Sequence, residues 1–169
     1  MANEDAVSVA PFIISREFPV PVATLYHMWT DRDAMMQWWG PKGASLLVAE
    51  LDLRAGGSFH YGMRMPDGLE MWGLWTIHEV QPLKKLVFIN SFSDAERRLT
   101  RHPLNAGWPL ELMSEIQFEE TPNGSRVTIS WLPYHATEAE SAIFDSNRES
   151  MRMGWGGSLG VLEKTLSEI

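Results

Sequence analysis

Val22, Leu25, Tyr26 and Trp29 fall at i, i+3, i+4 and i+7, one apolar stripe of an amphipathic helix. Pro19 and Pro21 separate that stripe from residues 9–18, VAPFIISREF, which read as an opening strand, and Pro21 suits a helix's first turn. Thr30-Asp31-Arg32-Asp33 has the form of a capping box and restarts a second short helix through Ala34–Trp38. From Ser45 the period changes to two. SLLVAELDL ends at the turn RAGG, and SFHYGMRM alternates with Phe59, Tyr61, Met63 and Met65 on one face. MWGLWTIHEV and KKLVFINSF follow as strands rich in aromatic and β-branched residues.

LELMSEIQFEE and SRVTISWLP form a hairpin. With Asn123-Gly124 as its two-residue turn, Phe118 faces Ile129 and Ile116 faces Trp131. The same rule applied to Asp67-Gly68 pairs Tyr61 with Leu74, which sets Trp75 on the opposite side from its partner's apolar face; a bulge or burial of both faces resolves this. Residues 93–109, SDAERRLTRHPLNAGWP, show no periodicity over a length typical of lids and binding loops. Residues 137–168 read as one helix, with Phe144, Met151, Trp155, Leu159, Leu162 and Leu166 on one side. The same helix holds Gly154, Gly156, Gly157 and Gly160, each costing about 1 kcal/mol against alanine. Close approach of a sheet, room left beside the helix, or a break between two helices would each account for them.

The order of elements predicts an α+β domain over residues 1–169, with residues 1–8 a flexible N-terminus. Two short helices follow the first strand, and a curved antiparallel sheet of about six or seven strands wraps around the long C-terminal helix. One apolar sheet face needs a cover, and that helix is the only element long enough. The gap between them is a natural place for a cavity.

Composition narrows the partners. A net charge of −8 argues against nucleic acid and anionic membranes. With no cysteine, disulfides, thiolate metal sites and cysteine nucleophiles are excluded. MANEDAVSVAPF carries no basic leader region, and no apolar run nears the roughly 20 residues of a membrane span, so the cytoplasm is the expected location. Eight tryptophans and ten methionines suit either a dense core or an apolar pocket.

Six stretches, taken together and in order, resemble the bacterial relatives of the Hsp90-ATPase activator C-terminal domain, AHSA1-like members of the START/Bet v 1-like helix-grip (SRPBCC) superfamily. They are WWGPKG at 38–43, ELDLRAGGSFHYGMR at 50–64, HEVQPLKKLVF at 78–88, INSFSDAERRLTRHP at 89–103, WPLELMS at 108–114 and SMRMGWGGSLGVLEK at 150–164. The resemblance implies a sheet wrapped on the C-terminal helix around an apolar cavity, and no shared reaction. These 169 residues do not include the additional N-terminal domain of the eukaryotic activator, so Hsp90 interaction is not expected from this chain alone. No motif ties the chain to polyketide cyclases.

Candidate chemistry is sparse. His27, His60, His78, His102 and His135 have no ligand spacing, so neither a metal nor a cofactor is expected. Arg101 and His102 in the long loop are candidate catalytic residues, His102 as a general base, or else they anchor the loop by hydrogen bonds. Asp52 and Arg54 read as a structural pair before Gly56-Gly57, and Glu111 and Glu115 face solvent by strand parity; Glu50 is a further carboxylate to weigh. No GxSxG, GxGxxG or GxxxxGK[ST] occurs. The candidate ligand-binding residues are Tyr61, Met63, Trp75, Phe88, Asn90, Trp131, Met151 and Trp155, with Trp38 or Trp39 at the entrance and Asn90 orienting the ligand.

The leading expectation is a carrier or sensor of a small apolar or aromatic molecule. An enzyme on such a substrate through Arg101 and His102, and an interaction module displaying tryptophans such as Trp108, are the alternatives. A homodimer is compatible with the sequence.

Overall fold

Alternation along the strands builds the fold. The computed structural model describes residues 9–169, so the N-terminal segment 1–8, expected to be flexible, lies outside the described residues. In chain order the elements are β1 (Phe12–Phe18), α1 (Val22–Thr30), α2 (Arg32–Trp38), β2 (Ser45–Asp52), β3 (Ser58–Arg64), β4 (Glu70–Gln81), β5 (Lys85–Ser93), β6 (Leu99–Thr100), β7 (Leu112–Thr121), β8 (Gly124–Pro133), α3 (Glu138–Ser146) and α4 (Arg148–Ser167). All strands join one antiparallel sheet of order β1-β8-β7-β5-β4-β3-β2, with the two-residue β6 paired to β5 beside that path. The sheet has eight strands rather than six or seven because the long loop contributes β6. The helix-grip architecture is as expected: a curved antiparallel sheet against a long C-terminal helix, with α1 and α2 after the first strand.

One sheet face is apolar. Leu112, Ser114, Ile116 and Phe118 of β7 are buried while the residues between them are not. In register beside them, Leu86 pairs with Ile116, Phe88 with Ser114 and Asn90 with Leu112. Across β8, Ile129 faces Ile116 and Trp131 faces Ser114. The expected partners for that hairpin, Phe118 with Ile129 and Ile116 with Trp131, are therefore displaced: the turn is Pro122-Asn123, with Thr121 paired to Gly124. The displacement is two residues in the pairing, so the faces stay as the parity predicts. Gly124 packs against the end of β1, where a Cβ would lie 2.1 Å from the Phe18 carbonyl oxygen.

The first hairpin is also corrected, here by a shift of one residue that changes which face β4 presents. Met63 pairs with Met71, Tyr61 with Gly73 and Phe59 with Trp75, not Tyr61 with Leu74. Pro66, Asp67 and Gly68 form a three-residue turn closed by the Met65 N–H to the Leu69 carbonyl at 2.8 Å, with Gly68 at φ 92°. The extra residue returns Trp75 to the apolar face. Gly73 matters here: a Cβ at that position would lie 2.3 Å from the Tyr61 ring, so only glycine lets the phenol lie across the strand.

α1 and α2 pack at one end of the sheet. Asp31, not Thr30, caps α2, its carboxylate accepting the Ala34 N–H at 2.9 Å. The C-terminal segment is two helices. The break falls at Asn147, whose φ of −110° and ψ of 19° interrupt the ladder, and the glycines all lie within α4. Thr137 and Glu140 form a capping box at the start of α3. The predicted stripe holds: Phe144, Met151, Trp155, Leu159, Leu162 and Leu166 are all buried. Close approach of the sheet is not what the glycines serve, because a Cβ at Gly154 or Gly156 would touch nothing within 4 Å. Gly154 instead borders open space.

Candidate functional site

Between the sheet and the first half of α4 the apolar face is not fully closed. A cavity of about 430 Å³ lies there. Its floor is the inward row of β3, β4 and β5, where Trp75 and Phe88 stack with ring centroids 3.9 Å apart and planes 13° from parallel. Trp39, Tyr61 and Met63 bound one side, Trp131, Met151 and Trp155 the other, and Asn90 stands among them on β5. Trp38 does not line it. Met65 at the turn after β3, Met71 and Phe92 from the strands, and His102, Leu104 and Trp108 from the long loop complete the wall. Of these, Met71, Phe92 and Leu104 have no earlier signal, and His102 and Trp108 are weighed above for other roles. The strand residues follow from parity once the three-residue turn fixes the register; the loop residues have no periodicity to reveal them.

The adjacent indoles of WWGP have separate surroundings. Trp38 is 2% exposed, and its Nε1–H donates to the Met28 carbonyl at 2.8 Å. Its ring meets Trp29 edge-on at 4.8 Å, so it packs on α1 rather than on the sheet. Trp39 turns the other way, with its ring 5.7 Å from Tyr61, 5.3 Å from Trp75 and 5.8 Å from Trp155. The helix ends at Trp38, and Trp39, its cap, has extended backbone, so the two neighbouring side chains part in direction there.

The polar groups of the wall are few. Asn90 Oδ1 accepts a hydrogen bond from the buried Ser114 hydroxyl, which leaves the Asn90 amide nitrogen as the free donor. His102 Nδ1 accepts the Leu104 backbone N–H at 3.0 Å. Since an amide N–H can only donate, Nδ1 is unprotonated and the ring proton sits on Nε2. His102, which borders the cavity, thus keeps only a donor free, and partial burial holds its pKa below the usual histidine value. Burial pushes the Tyr61 phenol up to about 12, and the nearby Trp39 indole offsets only part of that rise. The Trp39 and Trp155 Nε1 groups are buried without a hydrogen-bond partner among the described residues. Trp29 Nε1, in the filled core away from the cavity, is in the same state, so the feature is not particular to the cavity wall.

The long loop is anchored. Arg101 Nη1 donates to Glu140 at 2.5 Å and to the Trp108 carbonyl at 3.4 Å, tying the loop to α3. Trp108, expected to be displayed, is only 9% exposed and packs on Phe144 at 5.7 Å. Leu104, 76% exposed, and Ser150 of α4 mark the mouth. Arg101 and His102 therefore both make the anchoring bonds weighed for them.

The other polar candidates lie elsewhere. His60 is buried on the opposite face, its Nε2 at 3.0 Å from the Asp94 carbonyl and its ring stacked on Trp72. Glu50 meets Arg97 at 2.7 Å on the surface, and the Arg97 hydrogen bond lowers its pKa. Arg54 bonds both Asp52 oxygens, at 3.1 and 2.9 Å, beside Gly57, where a Cβ would sit 2.0 Å from the Asp52 carbonyl oxygen. Glu115 reaches Lys85 at the sheet's outer face at 3.8 Å. Among the described residues no three His, Asp or Glu side chains are grouped to hold a metal ion, and no helix is long and apolar enough to cross a membrane.

A curved sheet closed by a C-terminal helix defines the helix-grip class, and comparison with known proteins gives the family. Residues 19–167 match the model of the family described as Activator of Hsp90 ATPase homolog 1-like protein (AHSA1), and the chain belongs to it. Solved structures share the fold. A protein of Nitrosomonas europaea matches with a TM-score of 0.73 at 23% identity, covering 94% of each chain. A protein of Mycobacterium smegmatis matches at 0.71 and 27% identity, covering 91% of this chain and 88% of its own. The AHSA1 protein of Silicibacter pomeroyi matches at 0.69 and 22% identity, covering 94% and 98%. No curated protein matches the chain.

Proposed function

We propose that this chain binds a small apolar or aromatic molecule in the space between its sheet and α4, as a carrier or a sensor. The observation that carries the reading is the unfilled volume of about 430 Å³ in a region where interiors normally close-pack. Volumes of this size suit small-molecule ligands, and an apolar wall with a few oriented polar groups is the usual composition of such sites. Gly154 supports the same reading, because it lines the exposed rim of the space and no packing contact requires the glycine.

Catalysis gains no comparable support. His102 Nδ1 is occupied by Leu104 and Nε2 carries the proton, so His102 in this state is a donor and not a base, while Arg101 is committed to Glu140. Stimulation of Hsp90 does not follow from the family name, and the buried Trp108 removes the tryptophan that motivated an interaction module.

The test is thermal unfolding with N-phenyl-1-naphthylamine, an uncharged apolar fluorophore. Binding to the folded state alone raises the midpoint with probe concentration and enhances probe fluorescence. A midpoint and an emission that stay flat up to the probe's solubility would sink the reading.

A further inference from the structure

We infer that the ligand is an uncharged aromatic molecule bearing a hydrogen-bond acceptor, an aromatic ketone or quinone in class, with its oxygen held by Asn90 and His102. This rests on the ligand-binding reading and narrows it. Three observations carry it.

The first is charge. Among the described residues, none lining the cavity is Asp, Glu, Lys or Arg. An ionised ligand would lose its hydration there without a counter-charge, which costs several kcal/mol. The nearest guanidinium considered above, Arg101, is already paired with Glu140. A fatty-acid carboxylate and an ammonium ligand are both disfavoured on this ground.

The second is the sign of the free polar groups. Phe88, Asn90 and Phe92 occupy alternate positions of β5 and all line the cavity, and the His102 ring lies 4.5 Å from that of Phe92. Asn90 and His102 thus border the same wall. Each has its acceptor atom already satisfied within the protein, by Ser114 and by Leu104. What remains on both is an N–H. The Trp155 indole, without a partner among the described residues, is a donor-only group in an adjoining wall. Ser158, another lining residue, gives its hydroxyl to the Gly40 carbonyl at 2.9 Å. The Tyr61 hydroxyl can donate or accept, and Asn105 and Ser150 belong to the loop and the mouth. On the Asn90–His102 wall itself the free groups are donors, so a fitting ligand supplies an acceptor there. Asn147 has its amide nitrogen on the Ile143 carbonyl at 2.7 Å and presents an acceptor, but it stands by the exposed mouth with Ser150, where water serves it.

The third is the wall itself. Trp39, Trp75, Phe88, Trp131 and Trp155 surround the space, and rings meet rings favourably in offset or edge-on arrangements that aliphatic chains cannot make.

Four molecules of nearly one shape separate the possibilities: fluorene, 9-fluorenone, carbazole and fluorene-9-carboxylate. Each is titrated as a competitor of N-phenyl-1-naphthylamine at pH 8. The expected order places 9-fluorenone about tenfold or more tighter than fluorene, the gain of one hydrogen bond made to a donor otherwise left dry, with carbazole and the carboxylate weaker than fluorenone. In Asn90→Leu, and separately in His102→Phe, the fluorenone-to-fluorene ratio falls toward one. Equal binding of fluorene and fluorenone, or tighter binding of carbazole or the carboxylate, overturns this inference and leaves the ligand-binding reading standing. Failure of all four together with failure of the naphthylamine probe overturns both. The wild-type series decides even where a variant does not fold.

Discussion

The Trp38 indole N–H donates to the Met28 carbonyl at 2.8 Å, across the junction of α1 and α2, whereas the next residue, Trp39, faces the cavity. The aromatic surface of MMQWWGPKG therefore serves two purposes. Trp38 locks the helical corner and Trp39 closes one end of the opening. Trp38→Phe should leave a buried carbonyl short of a donor and lower stability by about 1–3 kcal/mol, read by urea denaturation, with the naphthylamine affinity of the folded protein unchanged. Trp39→Ala should weaken probe binding by about tenfold or more.

Gly154 and Gly156 separate cavity from helix. Both are interior to α4, and neither would bring a Cβ within 4 Å of another group. Replacing either with a good helix former should stabilise the protein by about 1 kcal/mol, near 2–4 °C in Tm for a chain of this size. Only Gly154 lines the cavity. Gly154→Leu should then raise Tm and abolish probe binding, while Gly156→Ala raises Tm and leaves binding intact. Equal effects of the two on binding would contradict the assignment.

Glu140 joins two tasks in one carboxylate. One oxygen accepts the Thr137 N–H at 3.0 Å to complete the cap of α3, and the other accepts from Arg101 in the long loop. The Thr137 backbone bond first, with Arg101 contributing, lowers its pKa below 4.5. A depressed carboxylate contributes stability that is present above the unfolded value and is lost as pH falls through the folded one. Glu140→Ala should cost about 1–2 kcal/mol at pH 7. Glu140→Gln, which keeps an acceptor for the cap, should cost less, and its difference from wild type should vanish as acid protonates the glutamate in the denaturation series.

Tyr61 sets a limit on the alkaline side. Burial holds its phenol at about 12 against an ordinary value of 10.0. The folded state keeps a proton that the unfolded chain releases, so this stability is complete below pH 10 and falls as pH rises toward 12. Burial also raises the Tyr26 phenol, so ultraviolet absorbance titration should show late ionisation from both, with the Tyr61 share absent in Tyr61→Phe.

Much of the fold was legible because it rests on period. The stripe from Phe144 to Leu166 and the inward rows of β3, β7 and β8 depend only on which residues alternate, and a shift of two in register leaves them unchanged. What depended on turn geometry was not legible. Asp67-Gly68 reads as a two-residue turn and is the end of a three-residue one, and Asn123-Gly124 yields to Pro122-Asn123, with Gly124 packed beside β1. The helix break at Asn147 lay hidden behind a more conspicuous glycine cluster. At the cavity, strand residues such as Tyr61, Trp75 and Phe88 follow from parity. Trp108 and Leu104 come from an aperiodic loop whose path is set by the Arg101–Glu140 pair, a contact spanning 39 residues, and no local pattern encodes it.

The central claim is that the space beneath α4 receives a ligand, and the eight tryptophans provide reporters of it. The measurement is the indole N–H region of a ¹⁵N–¹H correlation spectrum during titration with N-phenyl-1-naphthylamine. The account predicts large shifts for Trp39, Trp75, Trp108, Trp131 and Trp155, which line the cavity, and none for Trp72, which stacks on His60 across the sheet. A saturating titration that moves Trp72 alone, or moves no indole, would contradict it.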